Sequence, residues 1–127
     1  MMVVSKNQPN FQWITKQTAR VEDDVSISVT KNGANKPRMQ VVFRNKKGEH
    51  FKSGYVMLGI DGDRLYFCET DSRTGYKLSK GNSNYNRYLQ CSEQTAFDWA
   101  RMHIGDYRLD QDAKSELYYV DARRRNE

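Results

Sequence analysis

Much of residues 25–67 is written in a two-residue period. Val25, Ile27 and Val29 alternate with Ser26, Ser28 and Thr30, and Met39, Val41 and Phe43 alternate with Arg38, Gln40 and Arg44. Val56, Leu58 and Ile60 continue the pattern, and Leu65 and Phe67 are interleaved with Arg64 and Tyr66. A strand sends successive side chains to opposite faces, so this spacing predicts strands with one apolar and one wet face. A helix cannot gather residues two apart onto one side. The second face of the Arg38 to Arg44 strand is basic.

The interruptions are turn chemistry. Lys31 to Pro37 is rich in Asn, Gly and Pro. Asn45-Lys46-Lys47-Gly48 reads as a tight hairpin connection with Gly48 free to take positive φ. Asp61-Gly62, set between Ile60 and Leu65, is the strongest hairpin signal, suited to a type I′ turn. Beyond the turn-rich Thr70 to Gly75, Tyr76-Lys77-Leu78 and Tyr88 to Cys91 read as short strands around a polar surface loop, Lys80 to Asn86.

One helix is predicted near residues 93–104, with Ser92 as N-cap, Glu93 at the positive end and Gly105 at C′. Phe97, Ala100 and Ile104, with Ala96 beside them, would lay one apolar stripe on a sheet. Tyr107 and Leu109, then Leu117 and Tyr119, flank Gln111 to Ser115 as a closing hairpin. Phe11, Trp13 and Thr15 spell an added strand in the N-terminal segment. The expected class is α+β: a strand-rich single domain, an antiparallel sheet or partly closed barrel of six to eight strands, with one helix in the C-terminal half. A chain of 127 residues has the length of one domain. Residues 1–20 form an N-terminal segment, 21–122 the domain and 123–127 a basic tail that would fray.

Several classes are disfavoured. The longest apolar run, around Val56 to Leu58, is far below the roughly 20 residues of a membrane span. Met1 to Asn10 has no apolar h-region, so the expected compartment is cytoplasmic. Cys68 and Cys91 are too few for a disulfide framework and read as packing residues. His50 and His103 lack metal-ligand spacing, and Asp61-Gly62-Asp63 is accounted for by its turn. No phosphate loop or nucleophile motif is present. The expectation is a non-enzyme without cofactor or metal.

Charge and tyrosine point to a partner. Residues 1–60 carry 10 Lys and Arg against 4 Asp and Glu, whereas residues 61–127 carry 11 against 12. Ser72 to Ser92 is free of acids. Such segments attract a polyanion. Eight tyrosines are present, several of them beside cations. A strand face showing cations beside phenol rings grips phosphates and stacks bases, as sheet-based single-strand binders do. The candidate nucleic-acid site is Arg38, Arg44, Lys46, Lys47, Lys52, Tyr55, Tyr66, Tyr76, Lys77, Tyr85, Arg87 and Tyr88, with single-stranded DNA or RNA as partner. Tyr and Arg are also enriched at protein interfaces, so a protein-interaction module is the alternative. An open sheet edge allows a homodimer.

The run Gly54 to Phe67, with Gly75-Tyr76-Lys77-Leu78-Ser79, Gly105-Asp106-Tyr107 and Tyr118-Tyr119-Val120, resembles segments of small, uncharacterised β-rich proteins of Gram-positive phages and mobile elements. The layout of strands with one amphipathic helix is also similar to PC4-like single-strand DNA-binding domains. The chain departs from the latter in its extra strands after the helix, and no PC4-like motif transfers residue by residue. The resemblance implies a role in replication, transcription or counter-defence, and under it the alternative interaction module would inhibit a host enzyme or defence system.

Overall fold

Val25, Ile27, Met39, Val41 and Phe43 are almost wholly buried, while Ser26, Ser28, Arg38, Gln40 and Val42 between them keep partial access to solvent. The period-two runs are therefore strands with one buried face. The computed structural model describes residues 24–31, 33–81 and 85–124. Among these, β1 (Val25–Lys31), β2 (Pro37–Phe43), β3 (Tyr55–Asp61), β4 (Arg64–Glu69) and β5 (Tyr76–Lys77) are followed by β6 (Ser79–Lys80) and β7 (Arg87–Cys91). The helix α1 (Gln94–Arg101) precedes β8 (Gly105–Tyr107), β9 (Asp110–Gln111) and β10 (Tyr118–Asp121).

The strands form two five-stranded antiparallel sheets, ordered β6-β7-β2-β1-β8 and β5-β3-β4-β10-β9. This corrects the expectation of one sheet or a partly closed barrel with six to eight strands. The strand-rich α+β character and the single helix stand. The reason lies in three crossings between sheets, after β2, between β5 and β6, and after β8. At the first, Asn45 (φ 55°) and Lys46 (φ 65°) turn left-handed and a 3₁₀ turn, Lys47–His50, carries the chain across. Asn45 to Gly48 is thus a crossover and not a hairpin, and Gly48 serves by closeness. A Cβ there would lie 2.8 Å from Cβ of Arg87.

The two sheets meet through rings. Phe43 of the first packs edge-on against Phe67 of the second at 4.9 Å, and Phe51 lies 5.5 Å from Phe43 and 5.7 Å from Tyr118. At the β3–β4 hairpin the two central residues are Gly62 and Asp63, and positive φ at Gly62 alone (61°) is the type II′ arrangement, not type I′. Helix α1 is anchored to this hairpin by Trp99 Nε1, which donates to the Gly62 carbonyl at 2.8 Å.

Helix α1 is shorter than expected. Glu93 is the N-cap and makes no side-chain cap bond. Short-range bonds from Met102 N to Trp99 O and from His103 N to Ala100 O close the last turn. Its buried residues are Ala96, Trp99 and Ala100, while Ile104 is exposed, so Trp99 takes the packing role assigned to Phe97 and Ile104. The closing hairpin is β9–β10, whose connection is pinned by Ser115 N and Oγ donating to Asp112 at 2.8 Å. Arg123, assigned to a frayed tail, sits in a second 3₁₀ turn, Ala122–Arg124, and binds Asp121 and Asp63. The Phe11, Trp13 and Thr15 strand lies outside the described residues. Among the described residues no helix is long and apolar enough to cross a membrane.

Candidate nucleic-acid interface

The β2–β7 ladder organises half of the candidate site. Its register pairs Met39 with Cys91, Gln40 with Gln90, Val41 with Leu89, Val42 with Tyr88 and Phe43 with Arg87. Because Met39, Val41, Phe43, Leu89 and Cys91 are buried, the alternate residues Arg38, Gln40, Val42, Tyr88 and Gln90 face away from the core. Gln90 Nε2 donates to Gln40 Oε1 at 2.9 Å. Arg44 extends the row and reaches Asp106 at 3.5 Å, a carboxylate that Ser26 also contacts at 2.7 Å.

Past the end of the ladder the same line continues. Lys46 N donates to the Tyr85 carbonyl at 2.9 Å, and Lys46 Nζ stands 5.0 Å from the Tyr85 ring centroid. Tyr85 is 56% exposed, the most open ring among the described residues. Around the 3₁₀ turn, Lys52 and Arg87 line a groove of about 450 Å³ floored by Phe51 and Leu78. On its other side Lys47 lines a second groove, of about 440 Å³, with His50, Arg108 and Tyr118. His50 is stacked on Tyr118 at 4.6 Å.

Four of the twelve candidates lie elsewhere. Tyr55, Tyr66 and Lys77 occupy the outer face of the second sheet, since Val56, Leu65 and Phe67 between or beside them point into the core. Tyr76 pairs with buried Val56 and packs against the core. Burial, and then the Cys91 thiol beside it, pushes its phenol well above the ordinary tyrosine range. The expectation that all twelve share one patch is corrected by strand parity. Arg38, Arg44, Lys46, Lys47, Lys52, Tyr85, Arg87 and Tyr88 share one sheet and its end, three lie on the opposite sheet, and Tyr76 is half-buried against the core.

Among the described residues most ion pairs fall in the second half of the chain, with Arg44 and Asp106 paired on the first sheet. On the second sheet and its neighbours, Arg64 meets Asp121 at 3.4 Å, Arg123 meets Asp121 at 3.2 Å and Asp63 at 3.7 Å, and Arg108 meets Asp110 at 4.0 Å. Hydrogen bonds from Arg123 hold the Asp121 carboxyl below its ordinary range, against the opposing effect of burial. By contrast, among the described residues no carboxylate pairs with Arg38, Lys46, Lys47 or Lys52. Asp63, in the β3–β4 hairpin, also lies 3.0 Å from His103 Nε2.

Gln40, Asn86 and Gln90 were not singled out from the sequence, although Gln40 was placed on the wet face of its strand. The signal available was their parity with Arg38, Arg44 and Tyr88. The chain matches no family model, no curated protein and no solved structure.

Proposed function

We propose that the protein is a non-enzymatic nucleic-acid-binding domain that favours single strands, with its site on the outer β2–β7 face and the adjoining 3₁₀ turn. The observation that carries this is that Arg38, Lys46, Lys47 and Lys52, gathered on β2 and around the 3₁₀ turn, have no carboxylate partner among the described residues. Asp63, Asp110 and Asp121 hold Arg64, Arg108 and Arg123, and Asp106 holds Arg44, which leaves Arg38, Lys46, Lys47 and Lys52 to an outside anion. Phosphate binding by several such cations releases counterions, so affinity falls linearly on a log–log salt plot with a slope near −0.7 per phosphate for single strands. Tyr85 and Tyr88 add sequence-tolerant stacking. The mobile-element resemblance supplies a setting and adds no residue.

A second reading is an interaction module for a host protein. It draws on the outer face of the second sheet, where Tyr66 and Tyr119 lie 5.3 Å apart and the Arg64 guanidinium covers the Tyr119 ring at 4.6 Å. Titration of labelled single-stranded DNA, duplex and RNA at several salt concentrations separates the two. A steep slope with single strands bound best supports the first, and flat, weak signals for all three favour the second.

A further inference from the structure

On the outer face of the first sheet, Gln40, Val42, Gly81, Asn86, Tyr88 and Gln90 line a hollow of about 330 Å³. Among the described residues no charged side chain lines it. It is bounded on the solvent side of the sheet by one phenol ring and three carboxamides, whereas the grooves at the 3₁₀ turn are lined by charged side chains of both signs. That volume lies at the lower end of small-ligand sites. It is large enough for a single ring system.

The carboxamides are already organised. The Gln90 to Gln40 bond uses one N–H of Gln90 and one lone pair of Gln40. It leaves the two N–H groups of Gln40 and the carbonyl oxygen of Gln90 as donors and an acceptor for a ligand. The bond also limits the rotation of both side chains, which lowers the ordering cost on binding. Val42 and Tyr88 are direct partners across the ladder, in the row next to Gln40 and Gln90, so the ring and the donor–acceptor pair belong to one surface.

We infer that this hollow is a nucleobase site, in which Tyr88 stacks one unpaired base and the Gln40–Gln90 pair hydrogen-bonds its edge. The inference rests on the nucleic-acid reading and deepens it, giving a physical source for the preference for single strands. An unpaired base offers neighbouring donors and acceptors on its Watson–Crick edge, whereas in a duplex that edge is occupied. A neutral sugar would also suit a ring with carboxamides. The surroundings favour a nucleotide: Arg38 lies one row beyond Gln40 on the same face, Lys46 lies past the other end of the ladder, and neither has a carboxylate partner among the described residues. Phosphates on either side of a seated base would meet these cations, which a neutral glycan would not require.

The test compares the full chain on labelled deoxythymidine, deoxyadenosine and deoxycytidine decamers with an abasic decamer carrying the same phosphates. Base-bearing decamers are expected to bind about 5- to 150-fold more tightly, the range of one stacked base. Tyr88→Leu should reduce that ratio about 5-fold or more, leaving what stacking on Tyr85 contributes. Gln40→Ala with Gln90→Ala should narrow the differences between bases, and all variants should keep the salt slope, with folding checked by circular dichroism. Equal binding of abasic and base-bearing decamers, or a ratio unmoved by Tyr88→Leu, overturns the base site while leaving phosphate binding intact. Absence of any decamer binding at low salt overturns the nucleic-acid reading itself. Saturable binding of a neutral oligosaccharide, blocked by Tyr88→Leu, would assign the hollow to sugars and overturn the inference.

Discussion

Lys46 touches Tyr85 twice, once through its backbone N–H on the Tyr85 carbonyl at 2.9 Å and once through its ammonium 5.0 Å from the ring centroid. The contact ties the turn after β2 to the segment leading into β7 and sets a cation beside the most open ring. Replacing Lys46 and Lys47 together by Ala is expected to weaken single strands of every sequence alike. It should also lower the magnitude of the log–log salt slope by about 1.4, two phosphates at roughly 0.7 each. Lys77→Ala, on the other sheet, should leave the slope unchanged. A slope that falls with Lys77 and not with the Lys46/Lys47 pair would move the site to the second sheet.

Phe43 and Phe67 predict where the fold is most vulnerable. Each is at most 1% exposed, and their rings join the two sheets edge-to-face at 4.9 Å. Phe67→Ala removes the contact and opens a cavity among Phe43, Phe51 and Leu65. A loss of about 3–5 kcal/mol is expected, read by urea or thermal denaturation. A loss below about 1 kcal/mol would mean that the sheets are not held together there.

The strands were legible because each buries one face, and burial imposes a period that a sequence displays. Val25, Ile27, Met39, Val41 and Phe43 needed no tertiary information to be placed on one side. The assignment of strands to two sheets was hidden, because it depends on left-handed turns at Asn45 and Lys46, residues whose side chains do not demand that conformation as Gly does. The helix stripe was misread because Trp99 is held by a bond to Gly62, 37 residues away, a contact that no local spacing announces. For the candidate site, parity correctly placed Arg38 and Arg44 together. It could not tell that Tyr55 and Tyr66 face the opposite way in space, since that follows from which sheet each strand joins.

Gly75 marks a place where only hydrogen fits. A Cβ built on it would collide with the Thr70 methyl and come within 2.9 Å of the Val56 backbone nitrogen. Thr70 can rotate, but Val56 lies in β3, paired on one side with β4 and on the other with β5. Gly75→Ala is therefore expected to cost about 1–3 kcal/mol by overpacking, with the loss centred on β5. Hydrogen exchange should show faster opening of Tyr76 and Lys77 amides than of β1 and β2. Unchanged stability would mean that the Thr70 to Gly75 turn moves freely relative to β3.

Asp121 links stability to acid. Its carboxylate is 4% exposed and receives Arg123 through both Nε and Nη2 at 3.2 Å, with Arg64 at 3.4 Å. The Arg123 bonds hold its folded-state pKa below the ordinary value, so the folded protein gives up this proton more readily than the unfolded chain. The resulting stabilisation is complete above the unfolded Asp value of about 3.9 and is lost as pH falls through the folded value. Asp121→Asn should lower the melting temperature at pH 7, because Arg64 and Arg123 lose their shared counter-charge. The same variant should melt less steeply than the wild type as pH is taken from 5 to 3. Parallel acid limbs for the two proteins would show that other carboxylates carry the acid sensitivity and that the Arg123 contact does not persist in solution.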